Sequence, residues 1–135
     1  MSRSGYSDDC ENVGLWRGAV ERATFGKRGQ AFLIELAAAL DAMPDKRLIT
    51  DELVADGAYC TLGVIGAARG LDMKVVEVAD TEAVGKMFKI APALAAQIVY
   101  ENDECNHWAS TESPEKRWTR MRQWVADQIP AEAAA

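Results

Sequence analysis

One histidine, three cysteines and no long apolar run set the first limits on this chain of 135 residues. A hydrolytic triad needs a nucleophile, an imidazole base and an orienting carboxylate, so His107 would have to be the base of any such site. The nearest thiol to it, Cys105, stands two residues away, a spacing that suits a shared metal better than a catalytic pair. Cys10, Cys60 and Cys105 are odd in number and far apart, which argues against a disulfide framework and leaves each as a small apolar side chain. No Gly-Lys-Ser or Gly-Lys-Thr phosphate loop occurs. No apolar stretch reaches the roughly 18 to 20 residues that cross a bilayer. Met1 to Asp9 carry no apolar segment behind Arg3, so a secretory signal is not expected and the cytosol is.

What is present has ordinary globular proportions, with 49% hydrophobic and 27% charged residues, and a length typical of one domain. The net charge of −6 is unevenly spread. Arg17, Arg22, Lys27 and Arg28 face only Glu21 between positions 13 and 30, and Lys116, Arg117, Arg120 and Arg122 outnumber Glu115 and Asp127 between 114 and 129. The acid gathers in two other stretches, Asp41, Asp45, Asp51, Glu52 and Asp56, then Glu101, Asp103 and Glu104. An acidic chain is repelled by nucleic acid unless its cations cluster.

Hydrophobic periodicity predicts an all-α fold, a compact bundle of six to seven short helices. Residues 1–12 are expected as a loosely held arm, 13–130 as a single helical domain and 131–135 as a frayed tail. Val13, Trp16, Val20 and Ala23 recur at helical spacing and predict a helix to about Thr24. Gly26-Lys27-Arg28-Gly29 reads as a tight turn. A second helix, from about Gly29 to Ala42, aligns Phe32, Leu33, Leu36, Leu40 and Met43, with alanines at 37 to 39 for close packing and Pro44 as its stop. Leu48, Ile49, Leu53 and Val54 predict a short helix ending near Gly57. Ala58 to Arg69 reads as a helix pressed against a neighbour through Gly63 and Gly66, and Gly70 is a suitable terminator. Lys74 to Val78 reads as a loop. Asp80 or Thr81 begins a helix to about Phe88, and Pro92 begins another to about Asn102. Ser113 and Pro114 begin a last helix, with Trp118, Met121, Val125 and Ile129 facing the core.

Three constellations could carry chemistry. Asp103, Cys105 and His107 alternate in a polar loop and could offer ligands to zinc, although chance clustering gives the same pattern, so no metal or cofactor is expected. Lys27 and Arg28 precede a helix N-terminus, where an anion or a nucleic-acid phosphate could bind; a turn that happens to be basic looks the same. Arg117 and Arg120, three apart on a helix, could extend that contact. The segment 81–102 has a helix-turn-helix outline, with Val84, Phe88, Ile90, Leu94 and Ile98 closing its small core. A DNA reader needs polar and cationic groups on its second helix, whereas this one offers Gln97 and then acid. Two packed helices are therefore the better expectation.

The stretches Met1-Ser-Arg-Ser-Gly-Tyr-Ser-Asp-Asp, Trp16-Arg-Gly-Ala-Val, Gly26-Lys-Arg-Gly-Gln-Ala-Phe-Leu, Ala38-Ala-Leu-Asp-Ala-Met-Pro, Lys46-Arg-Leu-Ile and Ile98-Val-Tyr-Glu-Asn-Asp-Glu together resemble a family of small proteins encoded by bacteriophages and prophages of proteobacteria. The resemblance implies a phage origin and the bacterial cytosol. It carries no assigned activity, and hence no functional residues. With the charge pattern it leads to a non-enzymatic accessory protein that blocks a host protein or ribonucleoprotein, of the anti-CRISPR or related anti-defence type. The acidic residues Asp41, Asp45, Asp51, Glu52, Asp56, Glu101, Asp103 and Glu104 are the expected contact surface, steering the chain toward a basic partner. The alternative is a helix-turn-helix regulator of phage genes.

Overall fold

The computed structural model describes residues 13–103 and 112–130. Its six α-helices are α1 (Val13–Phe25), α2 (Lys27–Ala42), α3 (Thr61–Ala68), α4 (Thr81–Phe88), α5 (Pro92–Asp103) and α6 (Pro114–Asp127). A two-stranded hairpin, β1 (Val54–Ala55) and β2 (Ala58–Tyr59), precedes α3, and a 3₁₀ turn at Met73–Val75 follows it. The expected all-α fold is therefore observed, with a minor strand pair added. The N-terminal arm, the C-terminal tail, and Cys10, Glu104, Cys105, His107 and Trp108 lie outside the described residues.

The break between α1 and α2 is one residue long. Gly26 N donates to Arg22 O at 3.0 Å, ending one helix, and Gly26 O accepts from Gln30 N at 2.9 Å, beginning the next. The four-residue turn expected at 26–29 is thus corrected: Lys27 and Arg28 form the first turn of α2. Gly29 serves close approach instead, because a Cβ there would lie 1.8 Å from Ala23 O.

Along α2, Phe32, Leu33, Leu36, Ala37 and Leu40 are buried, and form one wall of the core. α5 fills the centre: Leu94, Ala95, Ala96, Ile98, Val99 and Asn102 are buried, and α1, α3, α4 and α6 all pack on it. The expected small core of the α4–α5 pair is present, since Val84, Phe88, Ile90, Leu94 and Ile98 are all buried. It is continuous with the main core, where Phe88 meets Phe32 edge to face at 6.4 Å. The caps follow the sequence. Asp80 accepts from Ala83 N at 3.1 Å, and Ser113 accepts from Lys116 N at 3.1 Å with Pro114 in the first turn.

The short helix expected before Gly57 is absent. Residues 43–53 form no helix or strand and bend at 44–45 and 50–53, and β1 and β2 pair antiparallel, Val54 with Tyr59 and Ala55 with Ala58. The linking residues Asp56 and Gly57 have φ of 52° and 77°, the pair of left-handed residues that a type I′ hairpin turn requires. Leu48 and Leu53 still enter the core. The apolar spacing that mimics a helix is served here by distant partners. Leu48 N donates to Pro114 O and Ile49 N to Tyr59 O, both at 3.0 Å, so the backbone needs no helix of its own.

A buried polar clasp joins this segment to α5 and α6. Asn102 Oδ1 accepts from Thr61 N and Oγ1 at 3.1 and 2.7 Å, and its Nδ2 donates to Ile49 O at 2.9 Å. Arg117 Nη1 donates to Leu48 O at 2.9 Å. Arg120 Nη1 donates to Glu101 O at 2.6 Å, which helps to satisfy the C-terminal carbonyls of α5. Glu112 lies between the two arginines, receiving Arg120 Nε and Nη2 at 2.7 and 3.0 Å and standing 3.4 Å from Arg117 Nε. The Arg120 hydrogen bonds hold the Glu112 carboxyl below the usual carboxylate range, with the charges of Arg120 and Arg117 helping and burial opposing.

Two outcomes follow from this packing. Gly29→Ala must push α1 and α2 apart and is expected to destabilise the fold by about 3 kcal/mol in urea denaturation. Glu112→Gln leaves two arginines short of a carboxylate and is expected to cost about 2–3 kcal/mol near neutral pH, less than for a fully buried pair because Arg120 is partly exposed. Because the folded carboxyl titrates below its unfolded value, its contribution is complete above about pH 5 and is lost as the pH falls through the folded value. The gap between wild type and Glu112→Gln should therefore close on acidification, as read from denaturation curves between pH 7 and 3.

Candidate functional site

A groove of about 510 Å³ lies between the C-terminal half of α2, the hairpin, α3 and the start of α6. Its volume is within the range of ligand and anchor pockets. Alanines make up much of its wall: Ala39 and Ala42 from α2 and Ala67 and Ala68 from α3 all line it. The alanines expected to draw helices together thus divide by position. Ala37 is buried in the core, whereas Ala39 opens onto the groove. Met43, Ile49, Tyr59 and Val64 supply larger apolar surface, and Pro44 and Pro114 stiffen the edges.

The charges around this groove are sorted. Arg122 grips Asp41 with Nε and Nη2 at 2.7 and 2.9 Å, and this hydrogen-bonded pairing lowers the carboxyl's pKa, assisted by the charges of Arg122 and Lys46. Lys46 Nζ donates to Asp41 O and Met43 O, both at 2.8 Å, and lies 5.1 Å from the Trp118 ring centroid. Arg47 is 3.1 Å from Glu115. Asp45, on the groove wall, and Asp56, at the hairpin tip beside it, make no ion pair among the described residues. The charge left over at the rim is negative.

The other acidic residues form a second locality. Glu52 and Asp103 line one narrow crevice with Asn102 and Cys60, so the two acidic stretches of the sequence meet in space. Asp51, next to Glu52, holds φ at 76°. Glu101 accepts from Gln97 Nε2 at 2.9 Å. Cys60 is buried, and that burial pushes its thiol up to about 12.

The expected cationic contacts separate. Arg117 is buried and Arg120 is held by Glu112 and by the end of α5, so neither guanidinium is free to meet a phosphate. Lys27 and Arg28 are exposed at the start of α2. The α4–α5 pair has the expected outline; α5 is the central helix, with Pro92 exposed and Ala93, Gln97, Tyr100 and Glu101 half-buried along one side. Cys105 and His107 lie outside the described residues, which themselves contain no cluster of metal ligands.

Sequence reading missed Glu112, whose pairing depends on how the chain turns into α6. It also missed the groove, although Asp56-Gly57 is a recognised hairpin signal and would have located its floor. Comparisons with protein-family models, curated proteins and solved structures give no match to this chain. The thiol chemistry can be checked directly. Cys60 is expected to resist iodoacetamide at pH 8 in the folded protein and to react once denatured, as read by peptide mapping.

Proposed function

We propose that this chain is a binding protein that seats an apolar anchor of a basic partner in the groove between α2, α3 and the hairpin. The observation that carries this reading is the combination of an alanine-walled groove of about 510 Å³ with a rim where Asp45 and Asp56 make no ion pair among the described residues. Burial of one large apolar side chain there contributes roughly 1.5–3 kcal/mol. Negative charge around it favours lysine and arginine beside the anchor and speeds encounter with a basic surface. Glu52 and Asp103 extend the acidic character of the molecule beyond the groove.

The resemblance to phage and prophage proteins gives the reading its specific form, an anti-CRISPR or related anti-defence inhibitor that acts in the bacterial cytosol. Its target would be a host protein or ribonucleoprotein with a surface rich in lysine and arginine. The role is occupation, with no catalytic step assigned. A regulator reading DNA through the α4–α5 pair has less support, because α5 is enclosed by other helices.

The test is capture from a bacterial lysate by the tagged chain, compared with two variants. Ala68→Arg, at an exposed position on the groove wall, fills the space and adds positive charge. The pair Asp45→Asn and Asp56→Asn removes the rim charge and keeps a residue suited to the positive φ at 56. Capture of a defined partner should fall at least tenfold with Ala68→Arg, and the Asn pair should weaken it most at low salt. Equal capture by all three proteins would sink the proposal.

A further inference from the structure

The cations of this acidic protein fall into two groups. Arg47, Arg69, Arg117, Arg120 and Arg122 each stand within 4.0 Å of a carboxylate. Arg17, Arg22, Lys27, Arg28, Lys46, Lys74, Lys86, Lys89 and Lys116 make no ion pair among the described residues. Arg28, Lys86 and Lys89 come from α2, α4 and the α4–α5 turn, yet they line one open cleft of about 460 Å³. Among the described residues Glu82 is the sole carboxylate lining it, so the charge of this lining is positive within a chain of net charge −6.

The cleft floor is built rather than incidental. Gly85, Ile90 and Pro92 form it, and a Cβ on Gly85 would lie 2.8 Å from Ile90 O. Only glycine lets the turn fold down this closely, and the result is a floor of bare backbone and apolar carbon. Lys89 ends α4 in the left-handed region at φ 61°, a position where glycine is the default. The chain uses that default at Gly70, just after α3, with φ 71°. At 89 it keeps an ammonium group in spite of the conformational strain, and aims the residue at the cleft.

We infer that this cleft binds a small phosphorylated ligand, with Arg28, Lys86 and Lys89 holding the phosphate groups over the floor of Gly85, Ile90 and Pro92. Arginine suits bidentate phosphate contact, and lysine supplies point charge. A small ligand fits better than a nucleic-acid strand. The α2 helix is 16 residues long, and its far end bears Asp41. A helix of that length spans about 24 Å. Along α2 no cation follows Arg28, and its carboxylates Glu35 and Asp41 are already paired with Arg69 and Arg122, so a long polyanion gains no further contact in that direction. The groove reading above is independent of this site.

The probe is pyrophosphate, followed with a nucleoside diphosphate, and binding is read from the backbone amide signals of Arg28, Gly85, Lys86 and Lys89. Lys89→Gly is the decisive variant, because it removes the charge and relieves the strained φ together. Saturable shifts are expected at these residues, with affinity at least tenfold weaker in Lys89→Gly and in Arg28→Ala, while the melting temperature of Lys89→Gly holds or rises. Unchanged affinity in Lys89→Gly would overturn the assignment, as would the absence of saturable shifts with either probe. Equal competition by sulfate at matched ionic strength would reduce the effect to charge screening and also overturn it. A single-stranded oligonucleotide that binds where pyrophosphate does not would replace the small ligand with nucleic acid.

Discussion

The buried clasp around Asn102, Arg117, Arg120 and Glu112 is the constraint on which the rest of the architecture depends. Residues 43–53 carry few backbone hydrogen bonds of their own, and Leu48 and Leu53 tie them into the core. Their carbonyls need donors, and an unsatisfied buried carbonyl costs on the order of 1–3 kcal/mol. Arg117 serves Leu48 and Asn102 serves Ile49, while Arg120 serves the end of α5. Glu112 then offsets the charge that these two arginines bring inside. Without this set of donors the irregular segment would be driven back into solvent, the hairpin would lose its support, and the groove would lose one wall.

The same economy of pairing shapes the surface. Arginines near the middle of the fold are committed to carboxylates or carbonyls, so they add little to the external field. Among the charges without an ion pair in the described residues, Asp45 and Asp56 lie beside the alanine-walled groove, and Arg28, Lys86 and Lys89 lie at the α4–α5 turn. These places are opposite ends of α2, whose first turn bears Lys27 and Arg28 and whose last turn bears Asp41. Positive side chains at a helix N-terminus oppose the helix dipole, as does acid at the C-terminus. The arrangement on α2 is therefore unfavourable for the isolated helix, and Arg122 and Lys46 offset it at one end only.

Much of the fold was legible because it rests on local rules. The apolar stripes of α2, α4 and α6 placed Leu36, Phe88, Met121 and Val125 in the core, where they are found. Asp80, Ser113 and Pro114 marked helix starts through chemistry confined to a few residues. The failures have non-local causes. Leu48, Ile49, Leu53 and Val54 have helical spacing, but their hydrogen-bond partners lie in β2, α5 and α6. Arg117 and Arg120 read as neighbours on one helix face that could extend a phosphate contact, yet the approach of residue 48 and of α5 turns one inward and engages the other.

By itself, then, the sequence determined the helical class, most helix boundaries, the core stripes and the separation of basic from acidic stretches, because periodicity, capping and composition act over a few residues. The tertiary structure alone decided which charges are spent internally and which remain free. It also decided that alanines 39 and 42 border a groove, that Glu52 meets Asp103, and that Arg28 joins Lys86 and Lys89. Each of these depends on residues distant in the chain arriving within a few ångströms of each other, and no local pattern encodes that distance.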